Sequence, residues 1–179
     1  MRLQEKYKKE IIPALKKQFQ YTNPFGVPRL VKVVVNVGVG RFTKDKAYID
    51  SVRENLAKIT GQQPMLNPAS KSISAFKVRK GMIVGVSVTL RGQRMYDFIE
   101  KLIAVSMPRI RDFRGLNSKL VDQSGNLSIG LKENSCFPEI MSAEIDKAHG
   151  LEICLATTAK TSQEGLALFK LMGFPFKTE

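Results

Sequence analysis

The residues best suited to holding a phosphate are two glycines in the segment Val37 to Lys44, VGVGRFTK. The segment follows an apolar run and precedes a helical pattern, and a glycine turn at such a junction can present backbone amides to a phosphate. It lacks the third glycine of a GxGxxG motif and the GK[ST] ending of a P-loop. A tight exit from a strand is the favoured interpretation, and a nucleotide-binding enzyme is the alternative.

The other residues capable of chemistry do not form a catalytic or metal-binding set. His149 is the only histidine and follows Lys-Ala near a predicted turn, where a surface or helix-terminus position is the commoner interpretation. Asp97 and Glu100 are three residues apart on a predicted helix, a spacing typical of a solvated face or of pairing with neighbouring basic residues. Cys136 and Cys154 form no CxxC motif, which favours reduced, mostly buried thiols. We therefore expect no enzymatic activity, no metal and no cofactor.

Basic residues are concentrated in one part of the chain. The whole sequence has 29 Lys and Arg against 16 Asp and Glu, a net charge of +13. Residues 1–119 carry 24 basic and 8 acidic side chains, whereas residues 120–179 carry 5 and 8. The 42 residues from Asn55 to Tyr96 include seven basic residues and no acid. A cluster of one sign indicates a polyanionic partner, and nucleic acid is the favoured class.

The segment from Asn67 to Lys80 has no sustained apolar period and is predicted to be a long exposed loop. Lysine and arginine neutralise phosphates, serine hydroxyls bond phosphate oxygens, and an exposed aromatic ring stacks on a base or ribose. A solvated loop with Phe76 tucked into the core is the alternative. The basic residues of this loop are Lys71, Lys77, Arg79 and Lys80.

The elements that position these residues follow from apolar spacing. Apolar residues recur every four positions from Leu3 to Phe19, which predicts an amphipathic helix kinked or divided by Pro13. Thr43 or Asp45 is predicted to begin a helix that Gly61 ends. Strands are predicted over 30–39, 82–91 and 151–158, a hairpin over 120–131, and helices over 93–106 and 162–172. The pattern predicts one α+β domain over 1–179, with an antiparallel or mixed sheet, helices packed on one face and a long exposed loop.

An open sheet face is the second candidate RNA surface. By strand parity Ser87, Thr89 and Arg91 share one face, and Asn36 is a polar residue within another apolar strand. Amides, hydroxyls and arginine suit an RNA surface with 2′-hydroxyls, although half-solvated sheets also carry such residues without a role.

A membrane is the third class of partner considered. No run approaches the roughly 18 apolar residues of a membrane span, and the first residues lack the apolar core of a signal peptide. We therefore expect a cytoplasmic protein with no membrane partner. The basic helix around Lys6 to Lys17 leaves membrane-surface binding as a weak alternative.

Five segments of the chain resemble one known family, in order and over nearly the whole length. They are KVVVNVGVG, SKSISAFKVRKGMIVGVSVTLRGQRMYDF, MPRIRDFRGL, FPEI and TTAKTSQEGLALFKLMGFPF. These segments resemble the bacterial large-subunit ribosomal protein five family, the 5S-rRNA-binding proteins. The resemblance implies a ribosome-bound structural protein that helps attach 5S rRNA in the central protuberance, beside 23S rRNA and neighbouring 5S-binding proteins. It also implies a loop that reaches peptidyl-site tRNA and a bridge contact to a small-subunit head protein.

Site residues are carried over from the family by position. The resemblance places Asn36, Gln63, Thr89 and Arg91 in the segments that meet 5S rRNA, and Lys71, Lys77, Arg79 and Lys80 in the tRNA-facing loop. Two segments depart from the family pattern. Residues 67–70, NPAS, stand where the family usually has a more basic run, which predicts a weaker tRNA contact. Residues 123–127, QSGNL, stand where it commonly has GRGNY, so a partner contact at that hairpin is in question.

Overall fold

The computed structural model describes residues 2–43, 45–140 and 148–177. They form the predicted α+β fold, with helices packed against a five-stranded antiparallel sheet. The strand order is β2-β3-β1-β5-β4, so β1 occupies the centre. The strands are β1 Leu30–Gly38, β2 Met65–Pro68, β3 Ile83–Leu90, β4 Leu127–Leu131 and β5 Leu151–Thr157. The helices are α1 Leu3–Lys6, α2 Ile12–Phe19, α3 Lys46–Thr60, α4 Gly92–Lys101 and α5 Ser162–Met172.

Side chains alternate along the strands between a buried and an open face, as the two-residue period of a strand requires. Val35 and Val37 on β1 and Val86 and Val88 on β3 are at most 2% exposed. The residues between them, including Asn36, are only half-buried. Fully burying one such apolar side chain contributes about 1.5–3 kcal/mol, so this alternation fixes which face of the sheet is covered.

The chain divides into two compact units. The first comprises residues 1–33, 90–129 and 154–179, and the second comprises residues 34–89 and 130–153. The first unit contains α1, α2, α4 and α5, whereas the second contains α3 and the β2–β3 hairpin. A single domain over 1–179 stays a prediction.

Each of two π-helical turns ends two residues before a proline. Tyr7–Ile11 joins α1 to α2 ahead of Pro13, and the amide of Ile12 donates to the carbonyl of Tyr7. Leu102–Ser106 follows α4 ahead of Pro108 in the same way. Proline cannot donate to the carbonyl four residues earlier, and its ring clashes with that group. The helical backbone therefore passes through a π turn at Tyr7–Ile11 and continues over Pro13 in α2, where the sequence predicted a kink or two short helices.

Helix α3 begins and ends at residues that the sequence identifies. The Asp45 side chain accepts a hydrogen bond from the Tyr48 amide at 3.0 Å, so Asp45 rather than Thr43 is the N-cap. Gly61 adopts a left-handed conformation with φ of 65°, and its amide donates to Ala57 at 2.8 Å. Asp45 therefore sets where the chain enters α3, and Gly61 sets where it leaves the helix toward β2.

Candidate RNA-binding surfaces

Strands β2 and β3 form an antiparallel hairpin whose pairing extends past the strand ends. Met65 pairs with Ser87 in the stem, and the register shifts after Asn67. Beyond the stem, the Ala69 amide donates to the Met82 carbonyl at 2.8 Å. Residues 69–82, called the basic hairpin below, therefore continue the hairpin.

The tip of the basic hairpin is hydrogen-bonded as well. Ile73 and Val78 exchange two backbone hydrogen bonds of 2.9 and 3.2 Å around a 3₁₀ turn at Ser74–Phe76. Lys77 closes the turn with φ of 53°, and its amide donates to the Ser74 carbonyl at 3.0 Å. A left-handed non-glycine residue costs about 1–2 kcal/mol, which these bonds offset. The segment is thus exposed as predicted, but it has regular pairing that the sequence did not indicate.

The side chains of the basic hairpin point to solvent. The Phe76 side chain is 75% exposed, which excludes the alternative that it belongs to the core. Ser72 has a structural role, since its hydroxyl oxygen accepts a hydrogen bond from the Lys80 amide at 2.9 Å. All four predicted tRNA-facing cations are exposed: Lys71, Lys77, Arg79 and Lys80.

Polar side chains surround a glycine on the open face of the sheet. Asn67 lies opposite Gly85 in the register, and its Nδ2 donates a hydrogen bond to Ser87 Oγ on the same strand β3 at 2.9 Å. A Cβ atom added at Gly85 would lie 3.5 Å from Asn67 Nδ2 and 3.6 Å from Asn36 Oδ1. The predicted residue Asn36 therefore joins Asn67 and Ser87 around a position that has no side chain. We call these four residues the amide cluster.

Thr89 and Gln63 lie at the same end of the hairpin stem. Both are exposed, and the Thr89 carbonyl accepts a hydrogen bond from Gln62 Nε2 at 3.1 Å. Gln62 thus holds the backbone beside Thr89 and leaves Gln63, the residue carried over from the family, open to solvent. Arg91 is exposed and precedes α4 in an extended conformation with φ of −140°. It belongs to the first compact unit and is not grouped with the amide cluster.

Sequence reasoning did not assign a site role to Asn67 or Gln62. Asn67 was predicted to begin the loop, but it is the third residue of β2. The strand alternation of β3 placed Ser87 on the open face. Predicting that Asn67 lies beside Ser87 requires the register of β2 against β3, and that register depends on tertiary contacts.

The two glycines of the VGVGRFTK segment lie where the chain leaves β1. The Val39 amide donates to the Val84 carbonyl at 2.9 Å, so pairing with β3 continues to this point. Neither Gly38 nor Gly40 has a positive φ, and a 3₁₀ turn follows at Gly40–Phe42. Lys44, the last residue of the segment, lies outside the described residues. Nothing in this backbone requires glycine for a phosphate cradle.

Metal-binding clusters and membrane-spanning helices are absent from the part of the chain that the structure describes. Within residues 2–43, 45–140 and 148–177, no group of three or more His, Cys, Asp or Glu could hold a metal ion. No helix in those ranges is long and apolar enough to cross a membrane. His149, predicted at the surface or at a helix terminus, is 5% exposed and therefore buried.

Comparison with known proteins covers both halves of the chain. Residues 23–79 match the family described as "Ribosomal protein L5", and residues 83–176 match the C-terminus of the same ribosomal family. The chain is 51% identical to "Large ribosomal subunit protein uL5" of Salinispora tropica, over 98% of this chain and 93% of the relative. It is also 51% identical to the protein of that name from Citrifermentans bemidjiense, over 98% of each. The Kocuria rhizophila protein is 49% identical over 99% of this chain and 94% of its own length.

Matches of this extent establish the class of protein. The chain is a ribosomal protein, an RNA-binding structural constituent of the large subunit and not an enzyme. Within that class it belongs to the ribosomal protein L5 family. Its place is on the ribosome in the cytoplasm. The family resemblance read from the sequence is thereby confirmed.

Proposed function

We propose that the open sheet face binds 5S rRNA and that the basic hairpin contacts peptidyl-site tRNA. In this proposal the protein helps attach 5S rRNA in the central protuberance, beside 23S rRNA and neighbouring 5S-binding proteins. The observation that carries the proposal is the amide cluster, because it gathers three polar side chains around Gly85 on the open face of the sheet, and all three are half-buried and within reach of a ligand.

The chemistry of the amide cluster suits RNA. Asn36 and Asn67 each carry an amide donor and acceptor, and the hydroxyl of Ser87 is both. The 2′-hydroxyl of ribose is likewise a donor and an acceptor, so such a surface can distinguish RNA from DNA. With no side chain at Gly85, the Asn36 and Asn67 amides lie close together over the strand, where a ribose or base edge can meet both. These features favour a structured RNA over a protein partner.

The basic hairpin suits the phosphate backbone of an RNA, whereas the amide cluster suits riboses and base edges. Its exposed cations contact phosphates without reading sequence, and the hydrogen-bonded stem holds them beyond the end of the sheet. This geometry supports a reach toward tRNA, whereas the amide cluster supports a close fit to 5S rRNA. The NPAS segment gives this hairpin fewer basic residues than its family usually has, so we expect its tRNA contact to be weak.

A protein partner is proposed for the acidic part of the chain. Residues 120–179 carry 8 acidic and 5 basic side chains, and Glu133 and Glu152 are exposed. Opposite charges steer association, so these exposed acids suit a basic partner such as the small-subunit head protein at an inter-subunit bridge.

The test separates the two RNA surfaces with two variants. Asn36→Ala removes one donor and one acceptor from the amide cluster, and loss of one hydrogen bond should weaken 5S rRNA binding about 3- to 10-fold. Lys77→Ala with Arg79→Ala should leave 5S rRNA binding unchanged and reduce retention of peptidyl-site tRNA on reconstituted ribosomes. Filter binding and tRNA dissociation rates measure the two effects.

Gly85→Ala serves as a second probe of the same face. The added Cβ meets only ordinary contacts at 3.5–3.6 Å, so the fold should tolerate the methyl group, which lies between the Asn36 and Asn67 amides that would meet the RNA. Unchanged 5S rRNA binding by both Asn36→Ala and Gly85→Ala would contradict the assignment of the sheet face. Loss of 5S rRNA binding by the hairpin variant would show that the two surfaces are assigned wrongly.

A further inference from the structure

A groove of about 1350 Å³ lies in the second compact unit, between the basic hairpin and the start of α3. One wall is formed by Phe42 and Tyr48, which flank the beginning of the helix. Ile73 and Phe76 of the hairpin tip also line the groove. The sheet-face residues of the amide cluster do not line it, so this groove is distinct from the proposed 5S rRNA surface.

The walls of the groove carry aromatic rings that solvent reaches. The rings of Phe42 and Tyr48 pack with centroids 4.4 Å apart and planes inclined by 40°. Even so, Phe42 remains 48% exposed, Ile73 48% and Phe76 75%. Exposed apolar side chains gathered around one concavity indicate a binding site, whereas single ones scattered over a surface do not.

The charges around the groove indicate an anionic occupant. Arg41, Lys71 and Lys77 line it and are all exposed. Asp45 is the acid among its lining residues, and its carboxylate is already engaged by the Tyr48 amide at the start of α3. His149 also lines the groove, but its ring is buried and bonded to the protein. Among the described lining residues, the exposed charged side chains outside the helix cap are therefore cations, and the Thr43 and Ser70 hydroxyls lie beside them.

We propose that this groove binds an unpaired nucleotide of an RNA strand, with the base against Phe42 and Phe76 and the adjoining phosphates on Arg41, Lys71 and Lys77. Aromatic rings with cations at the rim are the combination that binds single-stranded nucleic acid, since every base has a face that stacks. A free nucleotide is disfavoured, because small-ligand pockets are usually about 300–1,000 Å³ and have converging buried polar groups. The inference rests on the proposed role of the basic hairpin in RNA contact.

The experiment uses two labelled RNA probes of equal length and charge. One is hexaadenylate, and the other is the same strand with its four central bases removed. We expect the intact protein to bind hexaadenylate about 5- to 100-fold more tightly than the abasic strand, measured by fluorescence anisotropy, because stacking distinguishes them and phosphate contacts do not. Phe42→Leu with Phe76→Leu should abolish that ratio.

Phe25→Leu is the matched control. Phe25 is 91% exposed on a 3₁₀ turn of the first compact unit, outside the groove, so its loss should leave the ratio unchanged. Equal binding of the two probes by the intact protein would overturn the inference, as would an equal effect of the control and the double variant.

A second measurement keeps the test decisive if the double variant folds poorly. A hexamer containing 4-thiouridine, irradiated with the intact protein, should crosslink to peptides that contain Phe42, Tyr48 or Phe76. Crosslinks confined to other peptides would overturn the inference. Filter binding of the double variant to 5S rRNA separates the proposals, since normal 5S rRNA binding with an unchanged probe ratio rejects the groove alone.

Discussion

At the scale of single residues, His149 has an environment that keeps its ring neutral. The Asn134 side-chain amide lies 3.2 Å from Nε2, and Nδ1 lies 3.4 Å from the Gly150 carbonyl. A carbonyl only accepts, so Nδ1 carries the proton and Nε2 accepts from Asn134. Burial lowers the pKa of His149, and the bond to Gly150 only partly opposes this. The residue therefore has a structural role, because its ring links the Asn134 side chain to the Gly150 carbonyl.

This environment predicts a loss of stability in mild acid. In the unfolded chain the His149 pKa is near 6.5, and in the folded protein it is lower. As pH falls through 6.5 the unfolded state gains a proton that the folded state resists, so the free energy of unfolding decreases. For one proton, the free energy of unfolding changes by at most about 1.4 kcal/mol per pH unit. Urea unfolding at pH 7.5 and 5.5 measures this change.

His149→Gln supplies the control for that measurement. Glutamine offers an uncharged acceptor to Asn134 and does not titrate, so the variant should show a smaller difference between the two pH values. An equal difference in both proteins would mean that other groups carry the pH dependence.

At the scale of elements, the hairpin before β4 packs closely on the start of α5. A Cβ atom on Gly165 would lie 2.5 Å from the Cα and carbonyl oxygen of Gly125. The Asn126 side chain accepts a hydrogen bond from the Thr157 amide at 2.9 Å. Gly125 and Asn126 are also the residues of QSGNL that agree with the family pattern. Leu127, which replaces the usual aromatic residue, is fully buried, so that departure changes the core and not an exposed partner contact.

Gly165→Ala is predicted to destabilise the protein. The new methyl group must displace the backbone at Gly125, and overpacking of this kind costs about 1–3 kcal/mol. Gly130→Ala is the matched control, since a Cβ there meets nothing within 4 Å and its φ is not positive. Denaturant midpoints should fall for Gly165→Ala and change little for Gly130→Ala. Similar midpoints for both variants would contradict the close packing.

The elements differ in how well the sequence predicts them. Strands β1 and β3 and helix α5 have strong local periods and clear ends, so their predicted bounds agree with the observed ones to within one residue at each end. The π turns were not predicted, because they are the response of a packed helix to proline and leave the apolar spacing unchanged. The pairing of Ile73 with Val78 was missed for a similar reason, since a single bridge produces no alternation to detect. The amide cluster required the register of two strands, which local patterns do not contain.

At the scale of the whole molecule, basic and acidic residues are separated along the sequence, but the two compact units do not follow that separation. The net charge is +16 over residues 1–119 and −3 over residues 120–179, yet each compact unit takes residues from both blocks. The fold therefore mixes the two blocks, and contiguity in sequence does not by itself create one basic face. RNA contact is better assigned to particular exposed cations than to the net charge of +13.

The salt dependence of 5S rRNA binding shows whether particular exposed cations or the net charge of the protein sets the affinity. About three neutralised phosphates give a log–log slope of magnitude about 2–3 for 5S rRNA binding. If individual cations act, Arg91→Ala should lower that magnitude by about 0.7–0.9, the contribution of one phosphate contact. Lys170→Ala, an exposed lysine of the acidic block, removes the same charge and should leave the slope unchanged. Filter binding from 50 to 300 mM salt, roughly the range in which such slopes are linear, measures all three proteins. Equal changes for the two variants would show that net charge, and not Arg91 itself, sets the affinity.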